Sequence, residues 1–230
     1  MNAPRIPLVA MRDISLSFGG LHAVDRASIE LYDGEVMALV GHNGAGKSTL
    51  LRILATLLRA HAGKIALLGE ELPRRAWMVR GRLGLLGHEP LLYRDLTGRE
   101  NLRYHARLHR VGLQRVEEVL AAVQMQHRAD DPVRLLSRGM VQRLAVARAV
   151  LHRPKLLLLD EPRSNLDPAA AELVEPLIGR ASGATRVITS HDPQSALVEA
   201  DLVLALRDGR AAFVGTPAEL DARMLRELYA

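Results

Sequence analysis

With 230 residues, 48% of them hydrophobic, the chain can bury one substantial core, which favours a single globular domain with an elaboration over two independent domains. The absence of cysteine excludes a disulfide scaffold and a thiolate metal site, and the net charge of +5 comes from scattered arginines with 3% aromatics, so no nucleic-acid surface stands out. Met1–Pro7 lacks a signal-peptide core and no apolar run approaches the roughly 18 residues of a membrane helix, so a soluble protein is expected.

Residues 8 to 35 read as short strands with Asp33-Gly34 as a turn, an antiparallel β-layer. Val36-Met37-Ala38-Leu39-Val40 then reads as a buried strand, and Leu50, Leu51, Ile53, Leu54, Leu57 and Leu58 recur at helical spacing. Between them, Gly41-His42-Asn43-Gly44-Ala45-Gly46-Lys47-Ser48-Thr49 fits the phosphate-cradling pattern G-x-x-x-x-G-K-[ST]. Glycines let the backbone turn tightly and aim several N–H groups at one anion, and the helix beginning at the lysine adds its positive end. Lys47 is expected to reach the β- and γ-phosphates of ATP, and the Ser48 hydroxyl to ligate Mg²⁺.

Residues 88 to 152 carry helical periodicity, for example Val116, Val119, Leu120 and Val123, and read as an inserted helical subdomain. It closes with Leu136-Ser137-Arg138-Gly139-Met140 and a good helix-forming run through Val150, with Ser137 as its cap. Lys155-Leu156-Leu157-Leu158-Leu159-Asp160-Glu161 is an apolar strand of a parallel sheet ending in two carboxylates, where ligands of such sheets bind. Asp160 is expected to hold Mg²⁺ and Glu161 to orient or deprotonate the attacking water. Asp167-Pro168 and Asp192-Pro193 each start a helix, and Pro176 should kink or end the first of these. Asp208-Gly209 reads as a hairpin turn, and the tail from Pro217 as a helix.

The order L-S-x-G-x-x-Q-R followed by the second acidic strand resembles the signature of ATP-binding-cassette (ABC) ATPases, over about residues 8 to 215. The resemblance implies an α/β P-loop NTPase fold of the ABC ATPase type, with a mainly parallel sheet, an antiparallel β-layer and the helical insert in one domain spanning 1–230. It makes Phe18 the aromatic that stacks on adenine, and Ser137 and Gly139 the positions that touch the γ-phosphate of a nucleotide held by a partner subunit. Asp167, in Ser164-Asn165-Leu166-Asp167, looks like the D-loop, and His191, in Ser190-His191-Asp192, like the catalytic switch histidine beside Glu161.

The sequence departs from the family pattern at Arg138 and Met140, and at His88, which stands where the family has a Q-loop glutamine. Glutamine offers Mg²⁺ an oxygen and histidine a nitrogen, so His88 is a metal candidate against its chemistry. The loop Gly87-His88-Glu89-Pro90 with Leu96-Thr97-Gly98-Arg99-Glu100-Asn101-Leu102 resembles cassette subunits of haem exporters of cytochrome c maturation, although other exporter cassettes carry similar loops. The resemblance implies a head-to-tail dimer of ATPase subunits clamping ATP, and a separate integral membrane permease at the cytoplasmic face of the cell membrane. The rival reading is a soluble cassette ATPase acting on ribosomes or DNA; a third is a scaffold that binds nucleotide without hydrolysis.

Overall fold

The computed structural model describes residues 5–190 and 192–229. In chain order, β1 (Val9–Phe18), β2 (Leu21–Leu31) and β3 (Val36–Val40) precede helix α1 (Lys47–Leu54). β4 (Ala62–Leu67), β5 (Glu70–Leu72) and α2 (Ala76–Arg80) follow. Next come β6 (Leu83–Leu86), α3 (Gly98–Leu108), α4 (Gln114–Ala122), α5 (Arg138–Val150), β7 (Leu156–Asp160) and α6 (Pro168–Ile178). The remaining elements are β8 (Thr185–Thr189), α7 (Pro193–Glu199), β9 (Leu202–Arg207), β10 (Arg210–Gly215) and α8 (Ala222–Tyr229). They form two compact units, Met1–Arg80 with Thr185–Ala230, and Gly81–Ala184.

In the first unit the described strands follow the order β5-β4-β1-β2-β10-β9-β3-β8. β1 pairs antiparallel with β2 and β4, while β3 pairs parallel with β8 and β9. Burial explains the division: every residue of β3 and β8 is buried, as parallel strands covered on both faces require, whereas β1 and β2 mix buried and exposed positions. The antiparallel layer expected over residues 8 to 35 is present, built from strands of 10 and 11 residues rather than short ones. Its Asp33-Gly34 turn is held by β8, where Thr185 Oγ1 accepts from the Gly34 N–H at 2.9 Å and faces Asp33 Oδ1 at 3.4 Å. Below it, Arg186 of β8, 1% exposed, pairs with Glu199 of α7 at 2.9 Å.

Helix α1 buries Leu50, Leu51, Ile53 and Leu54 but stops there, short of Leu57 and Leu58. Thr56 turns left-handed at φ 61°, and the N–H groups of Leu57 and Leu58 both return to the Arg52 carbonyl. That closure ends the spiral and leaves Leu57 60% exposed. The tail differs in the same way. Pro217–Glu219 is a single 3-10 turn capped by Thr216 and Glu219, and α8 starts afresh where Asp221 Oδ1 accepts from the Met224 N–H at 2.7 Å.

In the second unit β6 and β7 pair parallel, from Leu83↔Leu156 to Leu86↔Leu159, and the four leucines of β7 are buried. The helical stretch expected over residues 88 to 152 lies in this unit together with β6, β7 and α6. Val116, Val119, Leu120 and Val123 form its apolar spine, as their spacing predicts. Residues 88 to 97 are loop. Buried Asn101 of α3 shapes the end of that loop: its Oδ1 accepts from the Tyr93 N–H at 2.8 Å, and its Nδ2 donates to Tyr93 O at 3.0 Å and Thr97 O at 2.9 Å. Thr97 and Glu100 close a capping box on α3. Pro176 sits in the last turn of α6, which ends two residues on, at Ile178.

Candidate functional site

In the first unit, β3 delivers the chain to the phosphate loop and α1 carries it away, as the apolar flanks predict. Gly46 is the N-cap of α1 at φ 105°, and having no side chain it cannot cap the first-turn amides, which suits an anion-binding helix start. Two of the glycines are obligatory for space as well as conformation. A Cβ on Gly41, φ +142°, would lie 2.2 Å from the Leu206 carbonyl oxygen, and one on Gly46 would lie 2.2 Å from that of Ala23. The Lys47 ammonium donates to Gly41 O at 2.7 Å and His42 O at 2.9 Å, so it lies over its own loop. The Ala45 carbonyl accepts from the Gly209 N–H at 3.1 Å, and His42 Nδ1 donates to Asn43 O at 2.7 Å while its Nε2 is 3.6 Å from Asp208 Oδ1.

Gly44 and Asn43 are exposed at the loop's crown, Ser48 is exposed at the first turn of α1, and Thr49 beside it is half-buried. Phe18 ends β1 at the tip of the β1–β2 hairpin, 53% exposed, while Ala23 on the returning strand touches Gly46. An aromatic left that exposed at the end of its strand fits a stacking platform better than core packing. His191 lies outside the described residues. Its neighbour Asp192 caps α7 by accepting from the Gln194 N–H at 3.1 Å.

In the second unit, Asp160 is the last residue of β7, and Glu161 follows it in the left-handed region at φ 53°. A non-glycine residue there is strained by roughly 1–3 kcal/mol, which is tolerated where its surroundings fix the turn. α5 fixes this one: Gln142 Nε2 donates to the Pro162 carbonyl at 3.1 Å. Ser137 caps α5 by accepting from the Met140 N–H at 3.3 Å, so the expected cap is present. A Cβ on Gly139 would meet the Asn165 carbonyl at 3.2 Å, so the signature turn rests against the loop that leads to Asp167. Asp167 itself caps α6, accepting from the Ala170 N–H at 2.8 Å. Ser137, Gly139, Met140, Arg143 and Asp167 thus line one surface cleft of ≈ 590 Å³. His88, exposed in the loop after β6, lies outside that cleft.

A half-buried basic layer steadies β6. Arg148 Nη2 donates to Leu85 O at 2.6 Å and His152 Nε2 to Leu83 O at 2.7 Å, while His109 stacks on His152 with ring centroids 3.9 Å apart. Burial, reinforced by neighbouring positive groups, pushes His105 and His152 down to about 4, and burial lowers Arg148 to about 10. The histidines are therefore neutral near pH 7.

The donor chemistry fits Mg²⁺ and ATP. Ser48 offers a hydroxyl and Asp160 a carboxylate, both hard oxygen ligands, and among the described residues no cluster of three His, Cys, Asp or Glu competes as a metal cage.

A family model described as ABC transporter matches residues 24–164. The chain belongs to the ABC transporter family. It is an ATP-binding subunit of that family and an ATPase, with ATP and Mg²⁺ as its cofactors. The daunorubicin resistance ATP-binding protein DrrA3 of Streptomyces coeruleorubidus is 38% identical over 89% of this chain and 67% of its own length. Nod factor export ATP-binding protein I of Sinorhizobium fredii is 35% identical over 92% of the chain and 64% of its own. The cassette thus spans about two thirds of these relatives. A solved ATP-binding subunit of an ABC transporter superposes with a TM-score of 0.85 at 27% identity, covering 97% of this chain and 95% of that one. The dimeric MJ0796 cassette with ADP and Pi shares the fold, with a TM-score of 0.82 at 23% identity over 91% of this chain and 98% of that one. The expected α/β P-loop architecture of ABC ATPases therefore holds for this cassette. Among the described residues no helix is long and apolar enough to cross a membrane.

Some residues around these sites escape a reading by motif. The Asp208-Gly209 turn is visible as a hairpin, but nothing in its spacing says that Gly209 braces Ala45. Asn101 has a weak signal, a polar residue among apolar helix positions. Tyr229, whose hydroxyl accepts from the Gly41 N–H at 3.2 Å, has none.

Proposed function

We propose that this cassette powers an exporter, pairing with a second copy of itself and docking on a separate integral membrane protein at the cytoplasmic face of the cell membrane. The whole chain, 1–230, serves as one ATP-binding domain in this reading, with residues 88–152 as the helical part that carries the signature. The observation behind it is the cleft shared by Ser137, Gly139 and the Asp167 loop. It presents a capped helix start and a tight glycine, a second anion surface besides the Gly41–Thr49 loop. One ATP engages both kinds of surface when the signature comes from the partner copy, so the triphosphate bridges a head-to-tail dimer and its hydrolysis releases the pair.

Within each copy, Lys47 exchanges its bonds to Gly41 O and His42 O for phosphate oxygens, and Phe18 stacks on the adenine. Asn43, Gly44, Ala45 and Gly46 surround the β-phosphate with amides, and Glu161 and His191 orient the attacking water. Ser48 would offer a hydroxyl and Asp160 a carboxylate to Mg²⁺, which when bound would neutralise charge on the phosphates. His88 is better suited to contact the membrane partner, because it is exposed and offers nitrogen to a metal that prefers oxygen.

The membrane partner meets the loop from His88 to Leu102, whose end is held rigid by Asn101. For the cargo, the Gly87-His88-Glu89-Pro90 form favours haem delivered for cytochrome c maturation. The names of three relatives, for daunorubicin resistance, Nod factor export and bacitracin transport, favour another exported organic molecule. Affinity capture from mild detergent extract, with this chain as bait, decides between them. Recovery of a membrane permease with small haem-handling proteins supports haem; a permease without them supports the other cargo. Co-sedimentation with ribosomes or DNA and no permease rejects export altogether.

A further inference from the structure

The phosphate loop is braced from behind at a point its motif does not specify. Gly41 is buried between β3 and the loop, and its N–H donates to the Tyr229 hydroxyl of α8 at 3.2 Å. A Cβ on it would collide with the Leu206 carbonyl of β9, and the next residue of that strand, Arg207, donates from Nη1 to the Glu227 carbonyl of α8 at 3.2 Å. Leu228 is buried beside it. β9 therefore backs the glycine and fastens the helix that supplies its hydrogen-bond acceptor.

We propose that Tyr229 is a positioning residue for nucleotide binding, holding the first peptide of the phosphate loop so that docking of α8 and occupancy of the loop favour each other. The carbonyl of Gly41 accepts from Lys47, and that bond must be exchanged for phosphate when ATP is held. The N–H of the same residue keeps its partner on Tyr229 throughout, so the loop has one fixed end while the other is remade. A buried N–H without a partner opposes that geometry, because it favours any loop conformation that reaches water or another acceptor. Coupling of this kind is reciprocal: what tightens nucleotide binding through α8 must also tighten α8 when nucleotide binds. Burial, with the Asp192 carboxylate nearby, raises the Tyr229 pKa, so the phenol stays protonated across the physiological range.

The test uses the full chain with three substitutions. Tyr229→Phe keeps the ring and removes only the hydroxyl; Tyr229→Ala removes the anchor; Arg223→Ala breaks the exposed Arg223–Glu227 pair on α8 and serves as the control for helix stability. Tyr229→Phe should weaken equilibrium binding of ADP and raise the KM for ATP about three- to ten-fold, with kcat within about two-fold and the nucleotide-free melting temperature lowered by no more than about 4 °C. ADP should slow amide exchange over residues 222–229 in the natural protein and fail to do so in Tyr229→Phe. An unchanged ADP affinity in Tyr229→Phe overturns the proposal. So does an equal loss in Arg223→Ala, which assigns the effect to the helix and not to the hydroxyl.

Discussion

At the scale of single residues, Glu161 shows how aim is built from strain. Its backbone is left-handed where the chain leaves β7, and Gln142 holds the following carbonyl so that the turn does not relax. Replacement by Gln keeps the shape and removes the carboxylate proposed as the base. Glu161→Gln should bind ATP as the natural protein does while phosphate release falls at least about 100-fold; turnover at the natural rate removes Glu161 from its role. Gln142→Leu keeps the helix and frees the turn, so kcat should fall about ten-fold with little change in KM for ATP, measured by steady-state kinetics. His105 and His152 supply a pH effect of definite sign. Both are held near 4 in the fold against 6.5 when exposed, so the unfolded chain takes up more protons between those values. The stability they contribute is fully present above about pH 6.5 and is lost as pH falls towards 4. Thermal melts should hold steady above pH 7 and decline below 6.5, and His105→Phe should flatten that decline.

At the scale of elements, caps and buried pairs decide where structure begins and what fixes it. Thr97→Ala removes half of the capping box on α3 and should cost about 1 kcal/mol, seen as a melting shift of roughly 2–4 °C. Glu199→Ala takes a carboxylate from Arg186, which is buried, and should cost about 3 kcal/mol by denaturant titration. The elements most legible from residues alone were those with a single dominant cause. β3 is apolar throughout and β7 up to its closing Asp160, the loop between β3 and α1 has a chemical motif, and Asp167 and Asp192 announce their helices through local hydrogen bonds. Leu57 and Leu58 misled because helical spacing says nothing of where a chain turns back, and Thr56 accepts a left-handed conformation that no propensity forecasts. The tail misled for a related reason: Thr216 and Asp221 are both caps, so Pro217–Glu219 and α8 start separately. Tyr229 and Gly209 act on the loop from positions more than 150 residues away in sequence, where no spacing rule reaches.

At the scale of the whole molecule, the proposed clamp requires the anion surfaces of one copy to answer to those of another. In the presence of Mg²⁺ and ATP, Glu161→Gln should double in mass by light scattering, and adding Ser137→Arg to it should hold it at one copy, because a long cation cannot occupy the cap of α5. A strictly monomeric Glu161→Gln under saturating nucleotide overturns the clamp. The tight seating of Gly41 and Gly46 reaches further than catalysis. Each is shaped by a carbonyl from a distant strand, Leu206 of β9 and Ala23 of β2, so the nine-residue segment holds its curve only inside this mould. Transplanting it onto a foreign strand–helix junction should yield a floppy, nucleotide-indifferent linker, whereas a graft that brings both flanking strands along should keep its grip. The portable unit of this enzyme is a cradle of strands, with the glycines as its imprint.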